Sequence, residues 1–231
     1  MLKNKRVIAV IPARAGSKSI INKNIKDLAG KPLIGWSIDI AKSSKYIDRI
    51  IVSTDGDLIE KVSLDFGAEV YRRDAHLASD TALVKDCLTD LIERLSTEGE
   101  KVDYIVLLEP TSPLRSTKDV DTTIEKLLSF DSVATFSEAE LNPHRAWKII
   151  NDEVTTFIKG AVPWLPRQQQ PKAYQLNGAV YAFTAKCLPK EGSSILFGTI
   201  GSVVIPHERA VDIDNELQFL LAEKLIEENN R

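Results

Sequence analysis

Arg6 to Lys31 reads RVIAVIPARAGSKSIINKNIKDLAGK, and this stretch decides the fold. Val7-Ile8-Ala9-Val10-Ile11 is apolar at every position, as a strand buried on both faces must be. Pro12 closes the run. The loop that follows carries Arg14, Lys18, Lys23, Lys26 and Lys31 against a single acid, Asp27. Loops in compact domains have about 4–6 residues, so one of roughly twenty is functional or disordered. Lying after a β-run and before a helix, it sits where open α/β sheets bind ligands. Gly16 lets the backbone approach an anion. Arg14 can fork onto two phosphate oxygens, while Lys18 and Lys23 act as point charges. The expected guest is a polyphosphate. The stretch is neither a Walker loop, whose first glycine is missing, nor a dinucleotide fingerprint, because Gly16 stands alone. A solvated basic loop is the plain alternative.

Outward from this stretch, β and α patterns alternate. Leu33, Ile34, Ile38 and Ala41 have helical spacing. Asp48–Ser53 reads as a strand, Leu58–Phe66 as a helix capped by Gly67, and Ala68–Tyr71 as a third strand. Asp80-Thr81 is expected to start a helix with the stripe Val84, Cys87, Leu88, Leu91 and Leu95. Tyr104–Leu108 is a fourth strand, Ser116–Asp119 a capping-box-like helix start, and Ser132–Phe136 a fifth strand. Such alternation predicts a parallel sheet covered by helices. Right-handed crossovers then put the loops after Ile11, Ser53, Tyr71 and Leu108 on one edge. Past residue 137 the pattern changes. A hairpin is expected around Asn151-Asp152. The stretch 160–175 holds three prolines and reads as a loop or arm. Ala179–Phe183 and Gly201–Ile205 read as strands, and the closing helix is expected to bury Leu217, Leu220, Leu221 and Leu225.

The 231 residues, 43% of them hydrophobic, suffice for one domain with a sizeable core. No apolar run nears the roughly 18 residues that span a bilayer. Met1 to Lys5 leads straight into the first strand, leaving no room for a signal peptide. A cytoplasmic protein with no membrane partner is expected. A net charge of −3 argues against nucleic acid as a partner. Cys87 and Cys187 lack zinc-type spacing, and Cys87 on its apolar stripe is expected to be a buried thiol. His76, His144 and His207 share no spacing.

A second signal is Asp212-Ile213-Asp214. Along a strand, residues i and i+2 share one side, roughly 6.6 Å apart. Two carboxylates there can hold a hard cation, and Mg²⁺ commonly takes one or two carboxylates plus phosphates. The local alternative makes Asp214 the N-cap of the last helix.

Ile11-Pro12-Ala13-Arg14-Ala15-Gly16-Ser17-Lys18, Lys23-Asn24-Ile25 and Gly30-Lys31-Pro32-Leu33-Ile34 closely resemble the opening of the CMP-acylneuraminate synthetases. These cytidylyltransferases activate sialic acids and related nine-carbon acids. The resemblance runs on through Leu77–Ala82, Glu109–Arg115, Asn142–Arg145, Pro166–Pro171, Asn177–Tyr181 and Asp212–Asp214 to the C-terminal helix. It implies a three-layer α/β, nucleotide-diphospho-sugar transferase-like fold with a mainly parallel sheet over residues 1–231. Within it, an arm from about residue 138 to 176 would reach a second subunit of a homodimer.

The resemblance also implies roles. CTP would meet Arg14, Gly16, Ser17, Lys18, Lys23, Asn24, Arg73, Asp80 and Thr81. A sugar acid would meet Glu109, Arg145, Arg167, Gln168, Gln175 and Asn177, with Lys148 as a substitute for Arg145. Asp212 and Asp214 would hold Mg²⁺ or Mn²⁺, and these two with Arg14 and Lys23 would carry the catalysis. Three positions depart from the family pattern. Glu109 stands where glutamine is usual, Gln175 where sialic-acid-specific members have arginine, and Val84 where a serine contacts the nucleotide. The implied reaction joins CTP to a nine-carbon 2-keto sugar acid and releases pyrophosphate. The alternatives are a sibling using legionaminic, pseudaminic or Kdo acid, a glycosyltransferase using the Asp-x-Asp, and a non-catalytic nucleotide sensor.

Overall fold

The computed structural model describes residues 2–229. Strand β1 (Val7–Pro12) lies inside a seven-stranded sheet and is buried along nearly its whole length. The short β2 (Asp27–Leu28) and β3 (Lys31–Pro32) form a hairpin ahead of α1 (Leu33–Ser43). There follow β4 (Arg49–Thr54), α2 (Asp57–Asp65), β5 (Glu69–Arg72), α3 (Val84–Thr97), β6 (Tyr104–Leu107), α4 (Thr117–Lys126) and β7 (Ser132–Glu138). A separate hairpin, β8 (Trp147–Ile150) and β9 (Glu153–Thr156), turns through Asn151 and Asp152, both in the left-handed region. The long β10 (Tyr174–Thr184), β11 (Ile200–Val204) and α5 (Glu216–Asn229) complete the chain.

The sheet order is β11-β7-β10-β6-β1-β4-β5. Every neighbouring pair is parallel except those made by β10, which runs antiparallel to both β6 and β7. Alternate residues of β1 serve the two faces, as a pleated strand requires. Val7, Ala9 and Ile11 pack with Ile34, Ile38, Val120 and Ile124 of α1 and α4. Ile8 and Val10 pack with Leu88, Leu91 and Leu95 of α3. The three layers are therefore α1, α2 and α4, then the sheet, then α3. The expected α/β class and mainly parallel sheet are what the chain forms.

Three local expectations are corrected. Helix α3 starts at Val84, not at Asp80-Thr81, because those two residues lie in the turn ahead of it and Asp80 is committed to ion pairs. Helix α5 buries Phe219, Ala222 and Ile226 against Ile20, Leu28 and Leu33, leaving Leu217, Leu220 and Leu221 at 77%, 59% and 49% exposure. The helix is apolar on two sides, and the side holding the bulkier aromatic ring goes inward. Asp212 and Asp214 lie on irregular chain, not on a strand. Ile213 alone makes a ladder-like bond, from its N–H to the Thr111 carbonyl at 2.8 Å.

The span from Glu138 to Leu176 adds little to the core. From Glu138 to Leu176 only Gln170 is buried, while Trp147, Ile149, Ile150, Val154, Phe157 and Trp164 are all exposed. No helix among the described residues is long and apolar enough to cross a membrane.

Candidate functional site

The C-terminal ends of β1, β5 and β6 open onto one cleft of about 560 Å³. Its walls come from Arg14 to Asn24, from Arg73 and the turn through Asp80, from Glu109–Thr111, and from Asp214. The loop after β4 stands behind them. The Ala15 N–H donates to Asp55 Oδ1 at 2.9 Å, and a Cβ on Gly56 would lie 2.9 Å from that of Ala15. Asn24, buried at 7% exposure, donates from Nδ2 to the Arg14 carbonyl at 3.0 Å. These contacts fix a loop that is too polar to pack itself. Gly16 stands in open space, where a ligand can approach the backbone closely, while the Ser17 N–H is turned back onto the Ala15 carbonyl at 3.0 Å.

Arg14 and Lys18 both bind the Asp80 carboxylate, at 2.8 and 2.5 Å. Lys18 first, then Arg14, holds that carboxyl below the usual aspartate range. Asp80 thus engages the cations that a polyphosphate would engage. Thr81 is exposed, with its hydroxyl 3.4 Å from that of Ser79. Arg73 lines the cleft but turns its two terminal nitrogens into the protein. They donate to the Ser53 and Leu77 carbonyls and to Cys87 Sγ, while its buried Nε has no partner. It braces the wall, and the Cys87 thiol behind it is buried as expected, with its pKa pushed up by that burial.

The opposite wall is acidic. Lys23 Nζ donates to the Ile213 carbonyl at 2.7 Å and lies 4.0 Å from Asp214. Asp214 is exposed and is free of the capping duty the sequence allowed it. Asn215 caps α5 instead, accepting from the Gln218 N–H at 3.0 Å, while Gln218 Oε1 accepts from the Asp214 and Asn215 amides. Asp212 is largely buried, and burial first, then Asp214, pushes its pKa up. Its Oδ1 has no hydrogen-bond partner. Gly178, at φ +71°, comes so close that a Cβ would sit 3.4 Å from Asp212 Oδ2 and 3.3 Å from Ser112 Oγ. Asn177 braces this bulge of β10, its Oδ1 accepting from Thr135 Oγ1 at 2.7 Å and from the Ala179 N–H at 3.2 Å.

Glu109 lies between the two walls. Burial, with Asp212 adding repulsion, pushes its carboxyl up to about 7, so it exchanges a proton near neutrality. Beneath it Arg115 is 2% exposed and donates to the Glu109 carbonyl and to Ser37 Oγ. Burial pulls this guanidinium down to about 10 against the pull of Glu109, Asp212 and Asp119. Arg209 forks onto Asp119 with two bonds of 3.0 Å. That pair ties the chain just before Asp212 to the start of α4. The capping box read at Ser116–Asp119 is present. Sequence reasoning missed the burial of Arg115 and the pairing of Asp119 with Arg209, ninety positions away, because only the packed fold brings these groups together.

An acidic pair with an unpartnered buried oxygen fits a hard divalent cation. Among the described residues no three His, Cys, Asp or Glu side chains gather closely enough to enclose a metal. The matching ion is one that completes its shell with phosphate oxygens and water.

Five residues expected at the sugar, Lys148 among them, are elsewhere in the single chain. Arg145 and Arg167 line a separate cavity of about 200 Å³ at the base of the arm. Arg145 donates to the Leu165 carbonyl at 3.0 Å, and Arg167 pairs with Glu138 at 3.0 Å. Gln168 is exposed, and Gln175 accepts from the Glu140 N–H at 3.1 Å. Lys148 lies over the Phe157 ring, 5.0 Å from its centroid.

Comparison with known proteins adds a family. Residues 8–198 match the family described as "Cytidylyltransferase". The chain is 34% identical to a CMP-N,N'-diacetyllegionaminic acid synthase of Legionella pneumophila, covering 97% of both chains. It is 33% identical to a pseudaminic acid cytidylyltransferase of Campylobacter jejuni, covering 92% of this chain and 93% of that one. Among solved structures, a CMP:2-keto-3-deoxy-manno-octonic acid synthetase complexed with CTP superposes with a TM-score of 0.73 at 16% identity. That match covers 97% of this chain and all of the other.

Proposed function

The chain belongs to the cytidylyltransferase family, and on that footing we propose that it joins CTP to a nonulosonic acid of the sialic type, giving the CMP-activated acid and pyrophosphate. The observation that carries this reading is the two-sided cleft. Arg14, Lys18 and Lys23 supply cations at the end of β1, and Asp214 supplies a carboxylate to the same cleft, with Asp212 close behind it and within the electrostatic reach of Asp214 and Lys23. The relatives named for legionaminic and pseudaminic acids support the substrate class.

In this reading the anomeric hydroxyl of the acid attacks the α-phosphorus, and the bond to the β-phosphate breaks in line. Such transfers depend on positioning and charge neutralisation more than on covalent help from the protein. Arg14 and Lys18 leave Asp80 for the phosphates, with the open backbone at Gly16 beside them. Arg14 and Lys23 neutralise the departing pyrophosphate. Asn24 keeps Arg14 in place, and Arg73 keeps the nucleotide wall rigid. Asp212 and Asp214 would hold Mg²⁺ or Mn²⁺, a charge that would offset the phosphates and acidify the attacking hydroxyl.

The arm places its apolar residues outward, and a second copy of the chain would cover them. Arg145, Arg167, Gln168 and Gln175 would then grip the acid of a neighbouring cleft, with the guanidinium fork suited to a carboxylate. We place the reaction in the cytoplasm, where CTP is made. The test is pyrophosphate release from CTP with a panel of nine-carbon acids and the eight-carbon Kdo. Release with a nine-carbon acid supports the reading, and no release with any of them overturns it.

A further inference from the structure

Lys85 is a buried cation that the proposed chemistry leaves unused. It sits in the first turn of α3 at 2% exposure. Its ammonium donates to two backbone carbonyls, Glu191 at 2.6 Å and Gly192 at 2.7 Å. A lysine is almost never so deeply buried without paired contacts. The two carbonyls belong to the stretch between β10 and β11, which is exposed from Lys190 to Ser194 and held farther on by Ser132, whose hydroxyl donates to the Phe197 carbonyl at 2.8 Å. Lys85 therefore fastens the free half of that stretch to α3.

What the fastening builds is a wall. Val84, Glu109, Leu176, Tyr181, Ile195 and Leu196 border a second cavity of about 310 Å³. Glu109 and Val84 also line the nucleotide cleft, so the two spaces adjoin there. Ser194 stiffens the wall by donating to the Leu196 carbonyl at 2.8 Å and accepting from its N–H at 3.1 Å.

We propose that Lys85 is a positioning residue for the second substrate: by clamping the Glu191 and Gly192 carbonyls it sets the Ile195–Leu196 wall of the cavity that adjoins the nucleotide cleft at Glu109. This rests on the reading that a sugar acid reacts with CTP in that cleft. Lys85 borders that cavity itself, but its ammonium is spent on the wall, and it therefore acts on one substrate and not the other.

The experiment is steady-state kinetics with each substrate varied in turn, on the wild type, Lys85→Met and Lys85→Arg. Methionine keeps the length of the side chain and removes its donors, whereas arginine keeps a cation and donors of different geometry. The expected result for Lys85→Met is a KM for the acid raised about tenfold or more, with the KM for CTP within about twofold. Lys85→Arg is expected to fall between that and the wild type. A merely structural role would lower stability and disturb both substrates alike. If Lys85→Met does not fold, Lys85→Arg decides by the same split. An unchanged acid KM, or equal changes for both substrates, overturns the proposal. A wild type that releases no pyrophosphate with any acid overturns the parent reading before any variant is compared.

Discussion

The Lys23 ammonium donates to the Ile213 carbonyl at 2.7 Å across 190 positions of sequence. Ile213 lies between Asp212 and Asp214 and is itself fully buried. One bond therefore joins the cationic loop to the acidic segment and sets the width of the cleft between them. Lys23→Met is expected to raise the KM for CTP and lower kcat together. The loss in kcat/KM should be about 10–100-fold, or roughly 1.4–2.7 kcal/mol. Steady-state kinetics checks this. A loss confined to KM would confine Lys23 to the phosphates.

Asp80 holds Arg14 and Lys18, so in the proposed reading CTP has to displace it. Arg14→Ala should weaken CTP binding about tenfold or more, since a charged hydrogen bond contributes roughly 1.5–3 kcal/mol. Asp80→Asn should do the opposite and tighten binding by a few-fold, because the phosphates no longer displace a carboxylate. Calorimetric titration of CTP measures both. Weaker binding in Asp80→Asn would make Asp80 a contact for the nucleotide and not a competitor.

Glu109 gives the protein a pH signature. Its carboxyl is raised in the folded state to about 7 from an ordinary 4.5. Between these values the native state keeps a proton that the unfolded chain has lost, so stability falls as pH rises through the window and levels off above it. Glu109→Gln cannot ionise and should be more stable than the wild type at pH about 8, by roughly 1–3 kcal/mol. It should gain little at pH about 4, where both states of the wild type are largely protonated. Urea unfolding in the presence of a chelator checks the difference, and an equal gain at both values would contradict it.

The exposed apolar arm predicts an assembly. Trp164 is 83% exposed with its ring centroid 6.1 Å from that of Trp147, and Ile149 is 71% exposed. Wild-type protein should scatter light as a dimer. Ile149→Asp with Trp164→Glu should shift it toward monomer and abolish use of the acid, while CTP still binds. A monomeric wild type with full activity would remove the arm from the site.

Much of this was legible in the chain. Val7–Ile11 and Tyr104–Leu107 announce central strands because both faces are buried, and the Arg14–Lys23 cations lie where β1 ends. The direction of β10 was not legible. An apolar strand reads alike in either sense, and its antiparallel entry depends on where the arm returns to the sheet. Helix α5 misled because Leu217, Leu220 and Leu221 satisfy helical spacing as well as Phe219, Ala222 and Ile226 do. Periodicity shows that a stripe exists, and packing decides which of two stripes is used. Asp80 read as a helix start because an acid ahead of an apolar stripe is a common cap. Its partners Arg14 and Lys18 are more than sixty positions away, where no local pattern shows them.

Asp212, next to Asp214 at the acidic side of the cleft, is expected to support the chemical step more than binding. The direct measurement is pyrophosphate release and CTP affinity of Asp212→Asn beside the wild type, at saturating Mg²⁺ and acid. The account predicts a kcat lowered by about 100-fold or more and a CTP Kd within about threefold of wild type. Wild-type turnover in Asp212→Asn would contradict it.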